Sequence, residues 1–300
     1  MDNTPKDAFL AKPDNLTALL NVAEVADLDI LVDYLTDKGA GRISLDDDTC
    51  ARFLRAKEQG EYNGLDRGLI GYEICRFGGN TLSNFYRDAR NAISFGSVLD
   101  RLLPDARGTV AYDEIVKDVA THLKVPHNKD SDLLVLEDGI LRKILRDSFE
   151  KMSDEERRAL LEELNVADLS LLKPATTAAL LAAGKYAGFA TYKLAAIVAN
   201  AVAKALLGRG LSFGATGMLM RSIKIMLGPI GWALTGLWAA ADMASPAYRV
   251  TVPCVIQLAY MRQKALAQAY TATCGGCGAA NDRSARFCGD CGQALGQGGA

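Results

Sequence analysis

Histidine is almost missing from this sequence: two residues in 300, His122 and His127. They stand five apart near a predicted helix end with no Cys or Ser motif beside them, which points to solvent or capping roles rather than to a catalytic base. A phosphate cradle is missing as well. "GRGLSFGATG" (208–217) is rich in glycine but lacks a preceding strand and the Gly-Lys-Ser/Thr ending of a P-loop, so it reads as an interhelical hinge. The acidic run "LDDDT" (45–49) is followed by no EF-hand spacing and reads as the solvated first turn of a helix. Without a catalytic constellation, the expectation is a non-enzymatic protein with no identified small-molecule substrate. The opening "MDNTPKDAFLAKPDNLTALL" has neither a basic stretch nor a long apolar run, so no secretory leader is expected and a cytoplasmic protein is.

Negative charge is absent over one long stretch. No Asp or Glu stands between Asp168 and Asp242, while Lys173, Lys185, Lys193, Lys204, Arg209, Arg221 and Lys224 are spread through it. Residues 1–168 hold 22 Lys/Arg against 33 Asp/Glu, net −11, and residues 169–300 hold 12 against 3, net +9. An acidic head is therefore joined to a basic, apolar tail. Two electrostatic readings follow: the tail is attracted to anionic lipid at the inner membrane, or it docks onto the head of its own chain.

Long hydrophobic runs are scarce, and the one that stands out is compromised. From Ile225 to Ala241 there are 17 consecutive uncharged residues, near the lower limit of about 17 for a membrane-spanning helix. Gly228, Pro229, Gly231 and Gly236 dilute its hydrophobicity, and Pro229 favours a turn or kink. The expectation is a tight helical hairpin around "GPIGW", packed in the resting protein and able to reinsert into a bilayer. Lys185, Lys193, Lys204, Arg221 and Lys224 would then meet anionic headgroups or an apolar protein partner.

Strand-like alternation is missing, which leaves an all-α fold, a multi-helix bundle. "ADLDILVDYLTDKGAG" reads as a helix capped by Asp27 and stopped at Gly39. "SLDDDTCARFLRAKEQG" runs from a Ser44 cap to Gly60, and "RFGGNTLSNFYRDARN" breaks at Gly78 and Gly79 and restarts at Asn80 or Thr81. Ile115, Val119 and Leu123 form one apolar stripe, and Ser153 with Glu156 has capping-box spacing. The alanine-rich helix beginning near 175 ends at Gly208 or Gly210, with Lys185, Lys193, Asn200 and Lys204 on one polar arc and a small residue every fourth place through Ala195, Ala199 and Ala203. A last long helix is entered at Thr251 with Pro253 in its first turn. The divisions suggested are 1–60, a short helical region; 61–170, an acidic helical domain; 171–270, a basic apolar region; and 271–300, a zinc ribbon and tail.

Cysteine is sparse, seven in all, but four fall at ligand spacing. "CGGCGAANDRSARFCGDCG" places Cys274 and Cys277 in one CxxC and Cys288 and Cys291 in another, ten residues apart, with Gly278 and Gly292 behind them. Each tight turn aims two sulfurs at one ion, and four thiolates close a tetrahedral shell, so a structural Zn2+ is expected. Zinc binding supplies the folding free energy that a module of about 20 residues cannot draw from a core. Arg283 and Arg286 are offset by Asp282 and Asp290, and Phe287 is expected beside the metal, which argues against nucleic acid as partner. Cys50, Cys75 and Cys254 read as buried thiols.

Four stretches, "FGGNTLSNFYR" (77–87), "YDEIVKDVATHLKV" (112–125), "GPIGWAL" (228–234) and "AYRVTVPCVIQLAYMR" (247–262), resemble the YaaW-like family of bacterial proteins. That family is grouped with the domain of ubiquinol–cytochrome c chaperones. The resemblance implies an all-α, chaperone-like body over roughly residues 20–265, a protein client as an alternative to the membrane, and no catalytic residues. The ribbon looks like an addition to the family pattern.

Overall fold

The computed structural model describes residues 4–42, 45–92, 110–163, 188–211, 247–283 and 285–295. Within them the chain forms helices α1 (Pro5–Ala11), α2 (Leu16–Val22), α3 (Val25–Thr36), α4 (Asp47–Gln59), α5 (Gly64–Ala92), α6 (Tyr112–His122), α7 (Leu133–Phe149), α8 (Asp154–Glu163), α9 (Gly188–Leu207) and α10 (Tyr248–Tyr270). Strands β1 (Thr271–Thr273) and β2 (Ala280–Asp282) pair antiparallel at the carboxyl end. The body is all-α, and one buried cluster runs from Phe9 to Ala267.

Helix α10 is the axis of this body. Every residue from Val250 to Met261 is buried, so this stretch of the helix has no solvent face and no strong amphipathic period. It packs against α2, α3, α5, α6, α7 and, most extensively, α9. The small-residue row on α9 makes that last contact close: Ala195, Ala199 and Ala203 are all buried, and Tyr192 stacks on Tyr260 at 6.1 Å between ring centroids. Burying a Leu, Ile or Val side chain contributes about 1.5–3 kcal/mol, so this interface is a main source of stability.

Several element ends fall where local chemistry puts them. The Asp46 carboxylate accepts from the Thr49 N–H at 2.9 Å to open α4, and Gly60, at φ 66°, closes it in the left-handed region. Ser153 and Glu156 form the expected reciprocal capping box, at 2.9 and 3.3 Å. Gly208, at φ 74°, follows α9.

Other expectations are corrected. Asp27 is not a cap: α3 begins at Val25, and Asp27 lies inside it, buried and bound to Lys264. The helix also ends at Thr36, before Gly39, through left-handed Asp37 and Lys38. Asp46, and not Ser44, caps α4, because the helix begins at Asp47; Ser44 itself lies outside the described residues. The Gly78–Gly79 pair does not break α5, which runs straight through it. Glycine is needed at 78 for proximity, since a Cβ there would stand 2.4 Å from Cγ1 of Ile115 on α6. Helix α10 starts at Tyr248, so Pro253 sits beyond the first turn, inside the helix. Asn200 leaves the polar arc: it is buried, and its Oδ1 accepts from the Leu211 N–H at 2.8 Å. Cys254 is buried and its thiol is pushed up to about 12 by burial, whereas Cys50 and Cys75 are only half-buried.

The charge asymmetry is partly consumed inside the fold. Arg262 on α10, 0% exposed, binds Glu137 of α7 through two hydrogen bonds of 2.8 and 3.2 Å. The Tyr112 hydroxyl donates to the same carboxylate at 2.8 Å, and Arg262 also donates to the Pro13 carbonyl. Lys264, two residues after Arg262, forms a second node and binds Glu24 at 2.7 Å and Asp27 at 2.8 Å. Burial disfavours the Lys264 ammonium, but the two carboxylates outweigh it and hold its pKa above the ordinary lysine value. Arg209, past the end of α9, joins Lys57 on Asp33. The basic tail is thus docked onto the acidic head at these points.

Candidate metal centre

The ribbon grows directly from the end of α10. The Arg283 N–H donates to the Tyr270 carbonyl at 2.9 Å, and β1 and β2 then pair with Ala272 opposite Asn281. The first CxxC forms the loop of this hairpin. In it the Cys274 N–H donates to Ala279 O at 2.8 Å, and the Gly278 N–H turns back to Cys274 O at 2.9 Å. The second knuckle repeats the design, Cys288 N–H to Gln293 O at 2.8 Å and Gly292 N–H to Cys288 O at 3.0 Å. Gly278 and Gly292 stand at φ 76° and 72°, which a side chain would disfavour, so the glycine after each CxxC is a geometric requirement.

The two turns bring the four Sγ atoms of Cys274, Cys277, Cys288 and Cys291 within 4.8 Å of one another. Two of the separations cross between knuckles, 3.6 Å for Cys274–Cys291 and 3.5 Å for Cys277–Cys288. Sulfurs at the corners of a tetrahedral zinc-thiolate shell lie about 3.8 Å apart. The arrangement therefore fits a four-coordinate metal ion with no position left for a substrate. Cys274 and Cys288 are buried, while Cys277 and Cys291 are exposed. Backbone N–H groups of Cys277 and Gly276 lower the Cys274 thiol, and those of Cys291 and Asp290 lower Cys288 to about 6. The Ala279 N–H lowers Cys277, but the neighbouring sulfurs outweigh it and raise that thiol to about 12. The backbone N–H groups of each turn thus favour the ionised form of one sulfur, Cys274 in the first and Cys288 in the second.

Phe287 is not packed beside the sulfurs: it is 64% exposed, paired through its backbone with Ala294 at the ribbon edge. Of the cations expected to meet a membrane or partner, Lys204 is exposed on α9 and Lys193 is half-buried. Lys185, Arg221, Lys224 and the "GPIGW" hairpin lie outside the described residues. Among the described residues, no helix is long and apolar enough to cross a membrane. His122 is not a solvent residue either, since its ring stacks on Tyr248 of α10 at 4.0 Å. A feature that sequence reasoning missed is an open groove of about 610 Å³ between α2, α5, α6 and the start of α7, with Leu16, Gly71, Tyr72, Val110, Asp113 and Lys117 among its lining. Its walls come from segments far apart in the chain, and Tyr72 is an exposed aromatic among its lining residues.

Residues 121–256 match the family described as ubiquinol-cytochrome C chaperone. A UPF0174 protein of Helicobacter pylori (strain J99) is 46% identical over 156 residues, which is 52% of this chain and 62% of that relative's length. A second UPF0174 protein of the same strain is 34% identical over 204 residues, covering 66% of this chain and 88% of the relative. The UPF0174 protein YaaW of Escherichia coli (strain K12) is 28% identical over 197 residues, 65% of this chain and 70% of its own. No solved structure matches the chain. With identity of 34% maintained across 88% of a relative, this chain belongs to the UPF0174 family.

Proposed function

We propose that the protein is a non-enzymatic chaperone or assembly adaptor whose helical body holds a protein client, with a zinc-clamped ribbon at its end. The observation that carries this reading is the match of residues 121–256 to the chaperone family, a segment that includes α7, α9 and the first part of α10. The burial of α10 supports it: a helix whose Arg262 and Lys264 are spent on internal carboxylates is a permanent core element, which leaves the surface of the body for the client. Zinc is the ion proposed for the ribbon, because four thiolates in a closed tetrahedral set suit it and it brings no redox chemistry of its own.

Site-specific photo-crosslinking in the native cell tests the reading. A crosslinker at Tyr72, exposed at the groove, is expected to capture one defined protein, and a crosslinker at Asp48, exposed on α4, is not. The purified pair should re-form a stoichiometric complex that Tyr72→Glu weakens. Equal, unspecific capture at both positions, or no complex from purified components, removes the client reading. The membrane reading rests on the exposed Lys204 and on the acid-free stretch between Asp168 and Asp242. Vesicle flotation decides it: binding to anionic but not neutral vesicles carries it, and failure with both discards it.

A further inference from the structure

The two knuckles are tied to each other by side chains as well as by their sulfurs. Asn281, on β2 after the first knuckle, donates from Nδ2 to Ala279 O at 2.9 Å, and its Oδ1 accepts from the Gly289 N–H of the second knuckle at 2.9 Å. Its Nδ2 lies 3.5 Å from Cys288 Sγ. Gln293, after the second knuckle, reaches the other way. Its Oε1 lies 3.9 Å from Cys274 Sγ, over Gly276, where an added Cβ would stand 1.8 Å from that oxygen. The two amides thus cross in opposite directions, and each meets the buried sulfur of the opposite turn.

We propose that Asn281 and Gln293 are positioning residues for the metal: reciprocal amide latches that set the spacing of the two CxxC turns and steady the buried thiolates Cys288 and Cys274. The proposal rests on the four-thiolate reading of the site. Physical chemistry supports the assignment. A thiolate bound to a metal keeps residual negative charge, and an N–H directed at it stabilises the bound form and orients the ligand. Asn281 is already so placed. Gln293 holds its amide 3.9 Å from Cys274 Sγ, and because an amide carries both an oxygen and an NH2 group, a half-turn in the same space presents an N–H to that sulfur when it ligates a metal. Gly276 completes the device because any side chain there would take the place of the Gln293 amide. Cys277 and Cys291, at the exposed corner, are left to the ion and the backbone.

The test is a titration of the full chain with Zn2+ against a chromogenic chelator, repeated with Co2+ to read its ligand-field and thiolate charge-transfer bands. The wild type should take one ion per chain. Asn281→Ala should weaken Zn2+ binding by about 10- to 100-fold, the range seen when a ligand's supporting hydrogen bond is removed. Asn281→Asp keeps an acceptor for Gly289 but loses the donor to Cys288, and should bind as weakly while shifting the charge-transfer band. Gln293→Ala and Gly276→Ala, which leave the hairpin's own hydrogen bonds in place, should each weaken binding and carry the test if Asn281→Ala takes up no ion at all. Wild-type affinity and an unchanged Co2+ spectrum in Asn281→Asp, or in both Gln293→Ala and Gly276→Ala, overturn the proposal. A wild-type chain that takes no ion refutes the four-thiolate reading itself, which is a separate failure.

Discussion

Arg262 and Glu137 show how much one pair of residues can govern. Both are sealed from water, and removing one partner leaves the other charge buried without compensation. Arg262→Met alone should therefore destabilise the body by about 3–5 kcal/mol in chemical denaturation. The double variant Arg262→Met, Glu137→Leu should recover much of that, and adding Tyr112→Phe should recover more, because its hydroxyl would otherwise lose the Glu137 carboxylate as acceptor. A single variant within 1 kcal/mol of wild type would show that water reaches the pair. His122 gives a pH dependence with a defined sign. Burial lowers its pKa from the ordinary 6.5, so on acidification the unfolded chain takes up the proton before the folded one does. The contribution to stability is complete above about pH 6.5 and is lost as pH falls from there to the folded value. Asp118, one turn earlier, is raised by burial and acts with the opposite sign, so the quantity to measure is the difference between wild type and His122→Phe. That difference should change with pH below about 6.5 and be flat above it.

Among the elements, α5 carries the sharpest contrast between pattern and packing. A glycine pair inside a helical stretch reads locally as a break, yet Gly78 is where α6 comes closest, with Ile115 in the space a methyl group would need. Gly78→Ala should cost about 1–3 kcal/mol, and Ile115→Ala in the same chain should relieve part of the strain although it is harmful alone, which a double-mutant cycle measures. The Ser153–Glu156 box and the Gly60 stop were legible in the sequence because all their partners lie within four residues. The burial of Ile115, Val119 and Leu123 was legible because a helix has a fixed period. The close approach at Gly78 was not, since nothing in residues 77–87 reports what stands across from them. The same limit hid the partners of Arg262, which lie 125 and 249 positions away. It also hid the groove, whose walls come from four helices. In the ribbon the opposite holds: the ligand set was readable because it is local and repeated, whereas the Phe287 side chain was misplaced because its environment depends on the completed turn.

For the molecule as a whole, the body and the ribbon draw their stability from different sources. The first has a continuous apolar core; the second depends on four sulfurs and a short hairpin. Chelation should therefore leave the far-ultraviolet dichroism and the thermal transition of the helical body nearly unchanged while exposing residues 274–295 to protease, and restored Zn2+ should return protection. Loss of the helical signal on chelation would mean that the ribbon supports the core. The join between the two parts sets a mechanical relation. Because α10 passes from the middle of the bundle into β1 without a linker, the metal-binding end is carried on the same rod against which six other helices rest. A load on the ribbon would be borne along that rod and shared among its neighbours, so the cysteine knuckles should tumble in solution at the pace of the whole protein, as a handle fixed to its shaft.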